Sequence, residues 1–128
     1  MTDSISSNIS LLQKIDIRNL DSCADIFADN FVFHYYNPKL TELEGDYHGV
    51  EELKSFFAKL VEISNDCFNV SVIDTKPIGD ELVVIQTCNR ISIEGKTMEF
   101  DVVVVWRFVD GKISEAWDIP SVFHTRLI

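Results

Sequence analysis

The sequence is poor in the residues that build several common kinds of site. Its three cysteines, Cys23, Cys67 and Cys88, are widely spaced in apolar surroundings, with no Cys-x-x-Cys pair. That pattern fits small buried hydrophobes in a reducing compartment rather than a disulfide framework or a metal centre. Basic residues are also scarce: 11 Lys and Arg stand against 21 Asp and Glu, for a formal net charge of −10. A chain this acidic repels phosphate backbones, which disfavours nucleic acid as a partner. Only 5 glycines are present, and none forms a glycine-rich phosphate loop. A Gly-x-Ser-x-Gly elbow and a His pair at helical spacing are absent too. No apolar run is long enough to span a membrane, and the opening MTDSISSNIS has no basic region followed by an apolar core. The expectation is a cytoplasmic protein with no metal or nucleotide cofactor.

What is present is a hydrophobic content of 46% in 128 residues, enough for one domain with a real core and too short for two. Its centre of gravity lies in FDVVVVWRFVDGKISEAWDIP, residues 100–120. Val102 to Val105 is an unbroken β-branched run, and Asp110-Gly111 between two such segments predicts a tight hairpin. Alternation puts Phe100, Val102, Val104, Trp106 and Phe108 on one face, with Asp101, Val103, Val105 and Arg107 on the other. The second face remains rich in Val, and it predicts a homodimer through the outer side of the sheet.

Earlier in the chain, Ile5, Ile9, Leu12 and Ile15 recur at helical spacing, and Leu20, Ala24 and Phe27 suggest a second short helix. Phe31 to Asn37 reads as an aromatic strand, with Phe33 and Tyr35 on one side and His34 on the other. Residues 39–48 read as a loop. The clearest helix is Val50 to about Asn65, with Val50, Leu53, Phe57, Leu60 and Val61 on its buried stripe. Four long strands follow, over 68–77, 81–93, 96–109 and 112–122. Helices first and a meander afterwards predict an α+β domain, a twisted sheet curling round the long helix to leave a cone with an open end.

Three strings, LDSCADIFADNFVFH, YHGVEELKSFF and VVWRFVDGKISEAWDIP, resemble the nuclear-transport-factor-two-like superfamily, particularly its SnoaL-like branch. With the strands between them they cover nearly the whole chain. The resemblance implies a cystatin-like cone with a hydrophobic pocket. It leaves the activity open among polyketide cyclases, ketosteroid isomerases, limonene-epoxide hydrolases, dehydratases and pure binding modules. Limonene-epoxide hydrolases carry an aspartate after a similar DGKI turn and beside a Trp, where this chain has Asp118. Their paired Arg and Asp have no clean match, because Arg90 lacks an Asp two residues on. Ketosteroid isomerases place carboxylates near the positions of Tyr35 and Val104, and neither is an acid here. The SnoaL-like cyclases suggest Asp118 as acid/base with His34 nearby.

The residues themselves carry a conflict over Asp118. Strict alternation from Ile113 puts Glu115 and Trp117 inward and Asp118 outward, and only a bulge or a bend near Pro120 would turn it in. An inward Glu115 would need a partner such as Arg90 or His34. Tyr35 can donate a hydrogen bond to a carbonyl or enolate oxygen. The candidate catalytic groups are therefore Asp118, His34 and Tyr35. Phe33, Phe57, Arg90, Trp106, Glu115 and Trp117 are the candidate substrate contacts, and a small hydrophobic molecule is the candidate ligand.

Overall fold

The computed structural model describes residues 2–128, apart from the side chains of residues 2–6 and 124. Ile5, expected on the first helical stripe, falls outside the described side chains. Helix α1 spans Thr2–Gln13, and a kinked 3-10 helix covers Leu20–Ile26. Strand β1 (Phe27–Tyr35) begins four residues earlier than the aromatic run implied, so Phe27 belongs to the sheet and not to a helix. The expected loop over 39–48 contains a 3-10 turn at Thr41–Leu43 and a short strand, β2 (Gly45–His48).

Helix α2 spans Gly49–Ser64. Glu51 and Glu52 occupy its first turn, where negative charge suits the helix dipole, and the Glu52 carboxylate accepts the His48 N–H at 2.8 Å. It ends at Asn65 in the left-handed region (φ 52°), with Asp66 N–H bonded to Val61 O and Asn65 N–H to Glu62 O. This paired closure satisfies carbonyls that the helix would otherwise leave free.

Strands β3 (Phe68–Ile78), β4 (Leu82–Ile93), β5 (Lys96–Val109) and β6 (Lys112–Pro120) follow, then a short β7 (Arg126–Leu127). Asp110 and Gly111 both take positive φ, 51° and 78°, the conformation a two-residue hairpin between right-twisted strands requires. The sheet runs β2-β1-β6-β5-β4-β3, with β7 on β5. All pairings are antiparallel except β1 with β6, which is parallel and brings the first strand beside the last long one. No helix among the described residues is long and apolar enough to cross a membrane.

The sheet bends where residues are spare. On β3, Val72 faces Thr87 and Asp74 faces Gln86, leaving Ile73 unopposed. On β6, Arg107 faces Glu115 and Phe108 faces Ile113, leaving Ser114 unopposed. Each bulge increases the local twist and curls the sheet toward α2. At the centre of the packed core is Phe56, whose ring lies 4.8–5.1 Å from those of Phe33, Tyr35, Tyr47 and Phe57. Phe56 thus takes the buried place expected for Phe57, which is only half-buried.

Candidate functional site

The β6 bulge sets the geometry of the site. Ile113 and Ala116 are both fully buried although three residues apart, an odd step that an uninterrupted strand does not allow. With Ser114 spare, Ala116 and Asp118 point inward. Glu115 and Trp117 point outward, reversing the faces strict alternation assigns them.

Inside, the curled sheet and α2 enclose a cavity of about 330 Å³. Asp118 and Tyr35 are register partners on β6 and β1, and both form its wall. Phe33, Phe57 and Trp106 line it as well, as does Phe56. Aliphatic side chains from α1, α2, β3, β4, β5 and the connecting loops make up most of the remainder. Asp118 keeps some exposure, and what it is exposed to is this cavity. Burial without a compensating partner raises its carboxyl from 3.8 to about 7.

Tyr35 is held by its neighbour. Asn37, itself 1% exposed, donates its amide N–H to the Tyr35 oxygen at 2.9 Å. The phenol proton is then free to donate elsewhere. Burial pushes the Tyr35 pKa above its ordinary value, and the Asp118 charge adds to the shift, so Tyr35 stays a neutral donor. Sequence inspection missed Asn37, and only its place two residues from Tyr35 hinted at it. Trp106 brings a further polar atom: its indole N–H is buried with no hydrogen-bond partner among the described residues.

Arg90 reaches the cavity rim, but its guanidinium is committed to Glu99 at 3.1 Å and is half-exposed. The other expected site residues lie elsewhere. His34, expected as the catalytic partner of Asp118, sits on the outer face of β1. There its Nδ1 meets Asp46 at 2.7 Å and its Nε2 meets Glu115 at 2.6 Å. Glu115 is therefore not a pocket residue; it pairs with His34 and approaches Arg107 at 3.9 Å. Trp117, expected in the pocket wall, stacks on the His34 ring at 5.5 Å with the Arg107 guanidinium 5.4 Å from its own ring. The change of parity on β6 moved Glu115 and Trp117 from the inside to the outside, whereas His34 lies on the side of β1 opposite Phe33 and Tyr35, where alternation already puts it.

His34 has a carboxylate oxygen at both ring nitrogens, so both must donate, which the imidazolium alone can do. Partial burial opposes that charge, but the hydrogen bonds and charges of Asp46 and Glu115 outweigh it and raise the His34 pKa. Among the described residues no cluster of His, Cys, Asp and Glu has the makings of a metal site.

A family profile described as SnoaL-like domain matches residues 11–116. No curated relative matches the chain. Solved structures share the fold at low identity. Bal32a, from a soil-derived mobile gene cassette, is 15% identical, with a TM-score of 0.81 and 92% of each chain covered. TerC, co-crystallised with polyporic acid, is 17% identical with a TM-score of 0.75, covering 94% of this chain and 92% of its own. An LEH-like epoxide hydrolase of M. tuberculosis is 18% identical with a TM-score of 0.63, covering 95% of this chain and 85% of its own.

Proposed function

We propose, from the premise that the chain belongs to the SnoaL-like domain family, that it is a cofactor-independent acid/base enzyme acting on a small apolar carbonyl compound. The observation that carries this reading is the Asp118 carboxyl inside an aromatic cavity, with burial raising its pKa to about 7. A base is most useful when its pKa lies near the working pH, and few carboxyls do. The step is proton abstraction next to a carbonyl. Asp118 takes the proton from carbon, the C–H electron pair moves into the carbonyl as its π bond opens, and the resulting enolate oxygen accepts a hydrogen bond from Tyr35. Return of the proton to another atom would give isomerisation, and loss of a β-oxygen would give dehydration. Capture of an electrophilic carbon by the enolate would give cyclisation. Co-crystallisation of TerC with polyporic acid is consistent with a small-molecule ligand in this fold.

Proton exchange tests the step without knowledge of the natural substrate. The protein should accelerate exchange of the α-protons of 2-tetralone with D2O, followed by NMR. The rate should rise with pH and level off above about 7. Asp118→Asn should abolish the acceleration, and Tyr35→Phe should lower it roughly 100-fold or more, the effect of losing one oxyanion donor. Exchange no faster than in buffer, or undiminished in Asp118→Asn, would refute the enzymatic reading.

One observation favours a binding module instead. Asp118 is the sole carboxylate in the cavity wall among the described residues, and many acid/base sites use a pair. Unchanged ligand affinity in Asp118→Asn, without turnover, would select that alternative. Under either reading the outer sheet face is proposed to pair with a second copy, because Val103 and Ile119 stand 38% and 58% exposed there.

A further inference from the structure

We infer that the Thr87–Asn89 side-chain pair on β4 is a second polar contact of the cavity, one that reads a neutral oxygen acceptor at the far end of an elongated ligand. This rests on the reading that the ligand's reacting end lies at Asp118.

The inward face of β4 carries Val83, Ile85, Thr87, Asn89 and Ile91, of which the last four line the cavity. Thr87 is 4% exposed, and its hydroxyl donates to Asn89 Oδ1 at 2.8 Å. That bond occupies the acceptor of the Asn89 amide and turns its NH2 group away from Thr87. No described residue accepts from those N–H donors, and Asn89 itself forms cavity wall. Thr87 lies in register between Val72 and Val102, so an apolar residue would continue the wall. A polar pair set there carries a desolvation cost that Val and Leu would avoid. Asn89 is only half-buried, so its free amide donors remain accessible from the cavity, where a ligand oxygen would accept from them.

The register fixes how far apart the two polar points are. Asp118 faces Val104, and Val104 faces Ile85, so β4 lies two strands away from Asp118. Asn89 is a further four residues along β4. At about 4.8 Å between strands and about 3.3 Å per residue, the backbone offset is roughly 16 Å on a flat sheet. Curvature and inward-reaching side chains shorten it, but a single-ring ketone still cannot touch both ends. The ligand class is a molecule of two linked or fused rings, apolar in the middle, with oxygen at each end. The distal oxygen is neutral, because Arg90, the cation at that rim, is already paired with Glu99.

Two matched probes test this by calorimetric titration: 4-hydroxy-4′-methoxybiphenyl, which carries a distal acceptor, and 4-ethyl-4′-hydroxybiphenyl, which is similar in shape and carries none. The protein should bind the methoxy compound roughly 3- to 10-fold more tightly, the effect of one neutral hydrogen bond. Asn89→Leu should bring the ratio of the two Kd values to within two-fold of one. Asn89→Asp, which replaces donors by acceptors and is the milder change to folding, should invert the preference. Equal affinities in the parent protein, or a preference that survives both substitutions, would overturn the inference while leaving the Asp118 reading intact. Failure to bind either biphenyl would overturn the inference, and the Asp118 reading would fall with it only if the α-proton exchange of 2-tetralone also failed.

Discussion

Tyr35 and Asp118 stand directly opposite each other across the one parallel strand pair of the sheet, a phenol and a carboxyl facing the same cavity. Neither has a cationic partner among the described residues, so burial decides the protonation state of each, and it favours the neutral form of both. A carboxyl in that position makes folding depend on pH. Asp118 binds its proton more tightly in the folded state, so its contribution to stability is greatest below its unfolded pKa, near 3.8. That contribution is lost as pH rises to about 7. The loss is at most on the order of 4 kcal/mol. Denaturant melts of the parent and Asp118→Asn between pH 4 and 8 should therefore diverge, with the Asn protein gaining relative stability as pH rises and the gap levelling off above about 7. Parallel curves would show that Asp118 is solvated.

The two tryptophans report on opposite faces. Trp106 lines the cavity, whereas Trp117 lies outside between His34 and Arg107. Ligand entry should change the fluorescence of Trp117→Phe protein and leave that of Trp106→Phe protein unaltered. The Trp106→Phe change also removes a buried N–H with no partner among the described residues, so it should cost less than about 1 kcal/mol despite the lost ring area. A fluorescence response confined to Trp117 would place ligands on the outer face.

His34 joins β1 to β2 and β6 through its two carboxylates. A histidine whose pKa rises on folding contributes stability that is complete below the unfolded value of 6.5 and disappears as pH climbs through the raised folded value. His34→Gln should thus destabilise by up to about 1 kcal/mol at pH 6 and by less at pH 9, since both carboxylates are partly exposed. The α-proton exchange rate should not follow it. A collapse of exchange in His34→Gln, with the protein still folded, would return His34 to the catalytic machinery.

The proposed pairing of two copies depends on Val103 and Val105 of β5, with Val84 opposite Val105 on β4 and Ile119 opposite Val103 on β6. Light scattering at micromolar concentration should give twice the chain mass, and Val103→Asp should reduce it to one. The apolar strip is narrow, because Gln86, Cys88 and Arg90 share the outer face of β4. A monomeric parent protein would end the proposal.

Local chemistry alone settled a good part of this molecule. The β-branched run from Val102, the Asp110-Gly111 turn and the apolar repeat of α2 each report on a few neighbouring residues and gave their elements close to the observed bounds, while the aromatic alternation of β1 gave the strand but not its start at Phe27. Whether Phe56 or Phe57 enters the core was not legible, because both lie within one helical turn of Leu53 and the facing rings of Phe33 and Tyr47 choose between them. β2 was hidden as well, being four residues held by pairing with β1. The decisive case is Asp118. Its face depends on Ser114 being left without an opposite number, and that is a property of how β6 meets β5, not of either strand's own residues. Period-two alternation holds only while every residue is paired. A single spare residue inverts it, and it took the assembled sheet to show where that residue is.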